Sequence, residues 1–253
     1  MEQKKNTLVE WLPDFFRHWP KNGFQADGAE KHCLNIDPDR LADFFSRLSG
    51  PLELVQHRSL VFDPWDIAGL KRKEVRHTAV LAWLLDPYES HGFKRLPMHV
   101  LLQSIRKIGR TDIPENFHRH CQVQVETPPR GDNANRIDIE IDADNFYLLI
   151  EVKIDACEQE NQISRYCLDA RQRAGQRPWA VVFLTPHGGK PLTIGTEFSA
   201  KDVPCLAWRH LARDLESALQ SEYRHIVVAE NPSPMRQMAA HATFCFIKRM
   251  RKF

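Results

Sequence analysis

The sequence predicts an α/β fold, a central mixed β-sheet flanked by helices with a helical extension in front. Three observations predict it. Ile137, Ile139 and Ile141 alternate with Arg136, Asp138, Glu140 and Asp142, the period of a half-buried strand, and an apolar run, 146–154, follows across a short turn. Trp179 to Thr185 (WAVVFLT) is continuously apolar, as in a parallel strand buried on both faces. Helical patterns lie before, between and after these strands. A chain of 253 residues fits one elaborated α/β domain, here residues 62–253, behind a helical extension over 1–61.

In chain order, Thr7 to Glu10 has capping-box spacing and starts a short helix carrying Trp11, Phe15 and Phe16. Gly23 to Gly28 reads as loop. Asp37 and Pro38 then supply an N-cap and a first-turn proline. Leu41, Phe44, Phe45 and Leu48 form one face before Gly50-Pro51 stops the helix. The next helix spans about Leu70 to Leu85, with Val75, Ala79, Ala82 and Leu85 on its apolar side and Asp86-Pro87 at its end. Glu74 lies near its start, where the helix dipole favours a carboxylate. Another amphipathic helix runs from Pro97 to Ile108 and closes at Gly109.

Cys121, Val123 and Val125 alternate with polar residues and make the first strand. Thr127 to Asn135 is rich in turn formers, a loop whose Arg130 either meets a substrate or merely connects. Asp142 to Asn145 supplies the hairpin turn between the next two strands. After a helix containing Gln162 and the strand 179–185, Pro186 to Pro191 forms a loop. Val203 to Ala207 is the last strand, Trp208 to Leu219 a helix, and Pro234 to Ile247 a final one. Its basic tail, Lys248, Arg249, Arg251 and Lys252, is either solvated or neutralises phosphates.

The net charge is only +2, so any nucleic-acid groove must be local. Six cysteines without a Cys-x-x-Cys pair suggest free thiols in a reducing cytoplasm, neither a zinc ribbon nor a disulfide framework. No apolar stretch approaches the ~20 residues of a membrane span, and no targeting segment is visible, so a cytoplasmic location is expected.

Chemistry concentrates on the hairpin. Glu151 and Lys153 are two apart on a strand and leave the same face, and pairing brings Asp138 near both. Charge in an apolar strand costs several kcal/mol unless it is paired or holds a metal. A Glu-x-Lys triplet alone is common, but the whole pattern of strand, turn, strand with Glu-x-Lys, then polar helix is not. Asp138 followed by Glu151-Val152-Lys153 resembles the PD-(D/E)XK nuclease superfamily, with Ile137 in place of its proline. Gln162-x-x-x-Tyr166 is similar to the motif of that superfamily's recombination-exonuclease branch, and Glu158, Gln162 and Tyr166 are spaced to share one helical stripe. The block from Lys73 to Pro87, with His91-Gly92 after it, is similar to a subgroup of bacterial nuclease-like proteins.

The resemblance implies a restriction-endonuclease-like fold and a Mg²⁺-dependent nuclease, with Mn²⁺ as a substitute, acting on DNA. It implies a bacterial setting of genome defence or mobile elements, and a homodimer as a candidate assembly. Asp138, Glu151 and the Val152 carbonyl would hold the metal, with Glu74 as a third acidic arm. Lys153 would orient the attacking water and stabilise charge on the phosphate. Gln162, Tyr166, Glu158 and Arg136 would contact the substrate strand or metal-held water. His77 and His91 match family positions, yet a lone histidine is more often a hydrogen-bonded structural residue. A non-catalytic nucleic-acid-binding protein on the same fold and an RNA-cleaving toxin remain as alternatives.

Overall fold

The computed structural model describes residues 37–57, 62–127, 136–229 and 233–253. The expected helix near Thr7, the loop from Gly23 and most of the Arg130 loop lie outside them. The chain divides into two compact units, residues 1–62 and 63–253. In the first, helix α1 (Pro38–His57) starts at Asp37, whose Oδ1 accepts the Asp39 N–H at 3.0 Å. It continues through Gly50 and Pro51, where the sequence predicts its end. A proline forfeits its own backbone donor, and here helical turns on both sides carry the helix past that lost bond.

The second unit opens with a short turn of helix, α2 (Pro64–Ile67), capped by the Asp63 side chain. Helix α3 (Glu74–Leu85) begins four residues later than its pattern suggests, because Gly69 and Lys71 adopt φ of 63° and 42° and turn the chain first. Its buried face is His77, Thr78, Leu81, Ala82, Leu84 and Leu85, so the expected Val75 and Ala79 face outward. Helix α4 (Leu96–Lys107) follows, and Gly109 at φ 108° ends it as expected.

Strands β1 (Cys121–Thr127), β2 (Ile137–Ala143) and β3 (Phe146–Val152) form an antiparallel meander. Helix α5 (Gln162–Ala174) then crosses over, so β4 (Trp179–Thr185) runs parallel to β3, and β5 (Cys205–Ala207) parallel to β4. The five-stranded sheet keeps sequence order, β1-β2-β3-β4-β5. The last strand is two residues shorter at its start than Val203 to Ala207. Helices α6 (Trp208–Val228) and α7 (Pro234–Met250) complete the fold, and α6 runs well beyond Leu219.

Both faces of the sheet are covered. Ile139, Ile141, Leu148, Ile150, Val182 and Leu184 pack in the core built with α3, α4, α6 and α7. Tyr147, Leu149, Val181 and Phe183 pack under α5. This is the α/β restriction-endonuclease-like architecture. Double coverage matters for the site, because the polar side of β2 faces a helix rather than water. In the basic tail, Arg249 pairs with Asp63 and Asp66 at 3.3 and 2.7 Å, and Arg251 with Glu216, so these two cations fasten α7 to the fold. Among the described residues, Cys121, Cys157, Cys167 and Cys205 are free thiols. Among the described residues no helix is long and apolar enough to cross a membrane.

Candidate functional site

Strand β2 turns Asp138, Glu140 and Asp142 toward α5, and the fold treats them differently. Asp142 meets Arg177 at 2.5 Å, and Arg177 also lies over the Tyr147 ring. Glu140 meets Arg173 at 3.0 Å and accepts the Tyr147 hydroxyl at 2.7 Å. Arg173 is braced in turn by Asp169, four residues earlier on the helix. Among the described residues, no arginine pairs with Asp138. Extending the ladder by one pair beyond Ile139 and Ile150 sets it across from a second carboxylate, Glu151.

Asp138 Oδ2 accepts the Val152 N–H at 2.8 Å, where the β2–β3 ladder gives way to a side chain. The Val152 carbonyl lies on the same side of the strand as that N–H. Glu151 is 1% exposed. Its Oε1 receives Lys153 Nζ at 2.7 Å and Gln162 Nε2 at 2.8 Å, while Oε2 is enclosed with no protein donor among the described residues. Burial raises both carboxyl pKa values above the usual range. The Glu151 carboxyl is pushed further by the Asp138 charge, and that of Asp138 by Glu74, against the opposing pull of Lys153. Burial alone would lower the Lys153 pKa, but the Glu151, Asp138 and Glu74 charges outweigh it and keep the ammonium protonated. The Lys153 ammonium therefore offsets only part of the repulsion within the carboxyl pair.

Gln162 and Tyr166 are drawn into this cluster from the first turns of α5. Gln162 Nε2 also reaches Tyr166 Oη at 3.2 Å, and that hydroxyl donates to the Arg136 carbonyl at 2.9 Å. Both side chains are buried, although the sequence reading makes them a polar stripe facing substrate. The end of β3 that they cover carries a carboxylate, and only polar helix residues can satisfy it. Arg136 itself is exposed and reaches the cluster through its backbone.

Glu158 departs from the expected stripe because α5 begins only at Gln162, after Asn161 at φ 53°. Its carboxylate instead accepts from Leu192 N, Thr193 N and Thr193 Oγ1, at 2.7–3.0 Å. Thr193 in turn receives Ile163 N on its hydroxyl and Ser164 N on its carbonyl, so this strap holds the N-terminus of α5.

Glu74, the first residue of α3, places Oε1 on the N–H groups of Ile154, Asp155 and Ala156 at 2.8–2.9 Å. Burial by itself would raise its pKa, but these three donors and the Lys153 charge hold it below the usual value. Glu74 thus fixes the turn directly after Lys153. Among the described residues, no three His, Cys, Asp or Glu side chains gather as a metal cage. His77 and His91 are structural: His77 Nδ1 sits on the Lys73 carbonyl, and His91 bridges the Asp86 carbonyl and the Phe93 N–H.

The oxygen donors of Asp138 and Glu151, their excess negative charge and the enclosed Glu151 Oε2 fit a hard divalent cation. Compared with known families, the sequence matches the PD-(D/E)XK nuclease superfamily over residues 62–233, most of the chain. The chain belongs to that superfamily. Neither the curated proteins nor the solved structures compared with it give a match. Within the PD-(D/E)XK match lie Glu74, the Asp138–Glu151–Lys153 constellation and α5 alike. The sequence reading missed Arg173 and Arg177. Their signal was present in part, because Asp169 and Arg173 are four apart on the helix that faces β2, and Arg177 follows in the turn after it.

Proposed function

We propose that this PD-(D/E)XK protein is a Mg²⁺-dependent nuclease that hydrolyses phosphodiester bonds of DNA, with Mn²⁺ able to substitute. One observation carries the proposal. Arginines neutralise Glu140 and Asp142, yet half-buried Asp138 and buried Glu151 face each other with, among the described residues, only the Lys153 ammonium paired to them. A site that retains this unbalanced charge next to carboxylates already paired with arginine is built for an external cation.

Asp138 and Glu151 would hold the cation, with the Val152 carbonyl beside them. When bound it would supply charge neutralisation at the scissile phosphate and acidify water. Lys153, held against Glu151, orients the attacking water and offsets negative charge growing on the phosphate. Gln162 keeps Glu151 in its rotamer, and Tyr166 ties Gln162 to the start of β2. Glu74 sets the turn that follows Lys153.

Incubating the protein with matched DNA and RNA, single-stranded and duplex, with Mg²⁺ or with excess EDTA, tests this directly. The expected result is Mg²⁺-dependent cleavage of DNA that chelator abolishes and Asp138→Asn eliminates. Full cleavage in EDTA refutes the metal mechanism, and cleavage of RNA alone refutes the substrate assignment.

A further inference from the structure

Just before α3 the chain turns sharply at 69–73, and hydrogen bonds fasten this turn to the end of β3 that carries Glu151 and Lys153. Glu74 follows the turn directly, with its carboxylate on the N–H groups of Ile154, Asp155 and Ala156, the three residues after Lys153. Arg72 makes a second link to the same segment, through Nε and Nη2 on the Asp155 carboxylate at 2.7 and 2.6 Å. Arg76 holds the shape of the turn itself, with Nη1 on the Ala68 and Gly69 carbonyls at 3.0 and 3.1 Å.

Lys71 and Lys73 stand on either side of Arg72, and both are exposed. The acids nearby are already committed. Asp63 and Asp66 pair with Arg249, Asp155 pairs with Arg72, and Glu74 accepts its three N–H groups. Among the described residues no carboxylate pairs with either lysine, so two ammonium charges stand unmatched beside the site. Lys71 also holds a left-handed backbone, with φ 42°. Glycine or asparagine takes up that conformation at less cost than a long side chain does. The backbone is thus strained around a cation, and strain of this kind gathers at ligand-binding positions. With a net charge of only +2, the protein has no general basic field, so phosphate contacts must come from cations placed in this way.

We propose that Lys71 and Lys73 form a ledge that receives backbone phosphates of the DNA strand entering the Asp138–Glu151 site. This rests on the nuclease reading and adds the surface along which the strand lies, the turn before α3.

The test measures binding of 5′-labelled DNA oligonucleotides, single-stranded and duplex, by fluorescence anisotropy with Ca²⁺ in place of Mg²⁺, between about 50 and 200 mM salt. Wild type is compared with Lys71→Asn/Lys73→Gln, with the charge-keeping Lys71→Arg/Lys73→Arg, and with Lys201→Gln. Lys201 is exposed at the opposite end of the sheet, where its carbonyl and that of Trp179, the first residue of β4, both accept from Arg110. The double neutralisation should weaken binding at least about tenfold at the lowest salt. It should also make the log–log salt slope shallower by about 1.4 for single strands or about 1.8 for duplex, two phosphate contacts. The arginine pair should keep the wild-type slope, and so should Lys201→Gln. In cleavage with Mg²⁺ the neutralised variant should raise KM and leave kcat at saturating DNA near wild type. Its melting temperature should hold or rise, because asparagine accepts the left-handed backbone more readily than lysine. An unchanged slope in the neutralised variant, or an equal change in Lys201→Gln, overturns the proposal. So does a fall in kcat at unchanged KM, which would make the turn a support for Lys153 alone. Wild type that neither binds nor cuts DNA sinks the nuclease reading and this proposal together. Wild-type cleavage with an unchanged slope in the neutralised variant sinks the proposal alone.

Discussion

Replacing Glu74 separates a structural clamp from a metal ligand. In Glu74→Ala the Ile154 N–H, on a residue 6% exposed, loses its acceptor inside the protein, at a cost of about 1–3 kcal/mol. The N–H groups of exposed Asp155 and Ala156 turn to water and cost little. Loss of the carboxylate at the start of α3 adds about 0.3–1 kcal/mol. The sum is about 1–4 kcal/mol, which for a chain of this size lowers the melting temperature by roughly 3–15 °C. Glu74→Gln keeps an acceptor but not its charge, and charge-assisted bonds are roughly twice as strong as neutral ones, so it should fall between wild type and alanine. Differential scanning fluorimetry in EDTA, with calorimetric Mg²⁺ titration of the same samples, reads both quantities. The clamp predicts a graded loss of stability with Mg²⁺ affinity weakened less than tenfold. Unchanged melting in Glu74→Gln with Mg²⁺ binding weaker by tenfold or more refutes it and makes Glu74 a ligand.

Arg173→Ala leaves Glu140 buried without its cation and should cost about 3 kcal/mol or more, seen as a lower urea midpoint; a loss under 1 kcal/mol would mean that Glu140 is solvated. Asp138→Asn, two residues away on the same strand, should act in the opposite sense and raise the metal-free melting temperature by about 2–4 °C, while removing Mg²⁺ binding. That gain should also depend on pH. Carboxyls whose pKa is raised by folding bind more protons folded than unfolded, so wild-type stability without metal falls as pH rises above about 4. The advantage of Asp138→Asn over wild type should therefore grow from pH 5 to pH 8, with other titrating groups cancelling in the difference. A constant difference would show that the pair is not strained. Tyr166→Phe should cost about 1 kcal/mol by leaving the Arg136 carbonyl without its donor, and unchanged melting with weaker DNA binding would return the hydroxyl to the substrate.

The hairpin and its constellation were legible because a period of two over Ile137, Ile139 and Ile141 admits one register. The Asp142–Asn145 turn then sets Asp138 across from Glu151. Helix starts were less so. That of α5 depends on Asn161 at φ 53°, and that of α3 on the turn at Gly69 and Lys71, and neither conformation leaves a periodic trace. Those starts decide what Glu158 and Glu74 touch, and each carboxylate accepts hydrogen bonds from a neighbouring loop. Burial of Gln162 and Tyr166 was hidden for another reason. Polar residues every four positions read as a solvent face, but here the helix lies over carboxylates at the edge of a doubly covered sheet. The same coverage hid the partners of Glu140 and Asp142, whose alternation with isoleucine looks like exposure to water.

The central claim is that Asp138 and Glu151 together hold a divalent cation. Crystals soaked in Mn²⁺, with anomalous data collected near the manganese edge, test it most directly. The account predicts one strong anomalous peak within ligand distance of both carboxylates, and no such peak in Asp138→Asn. An ordered site with no peak there, or a peak held by other residues while cleavage persists, would contradict it.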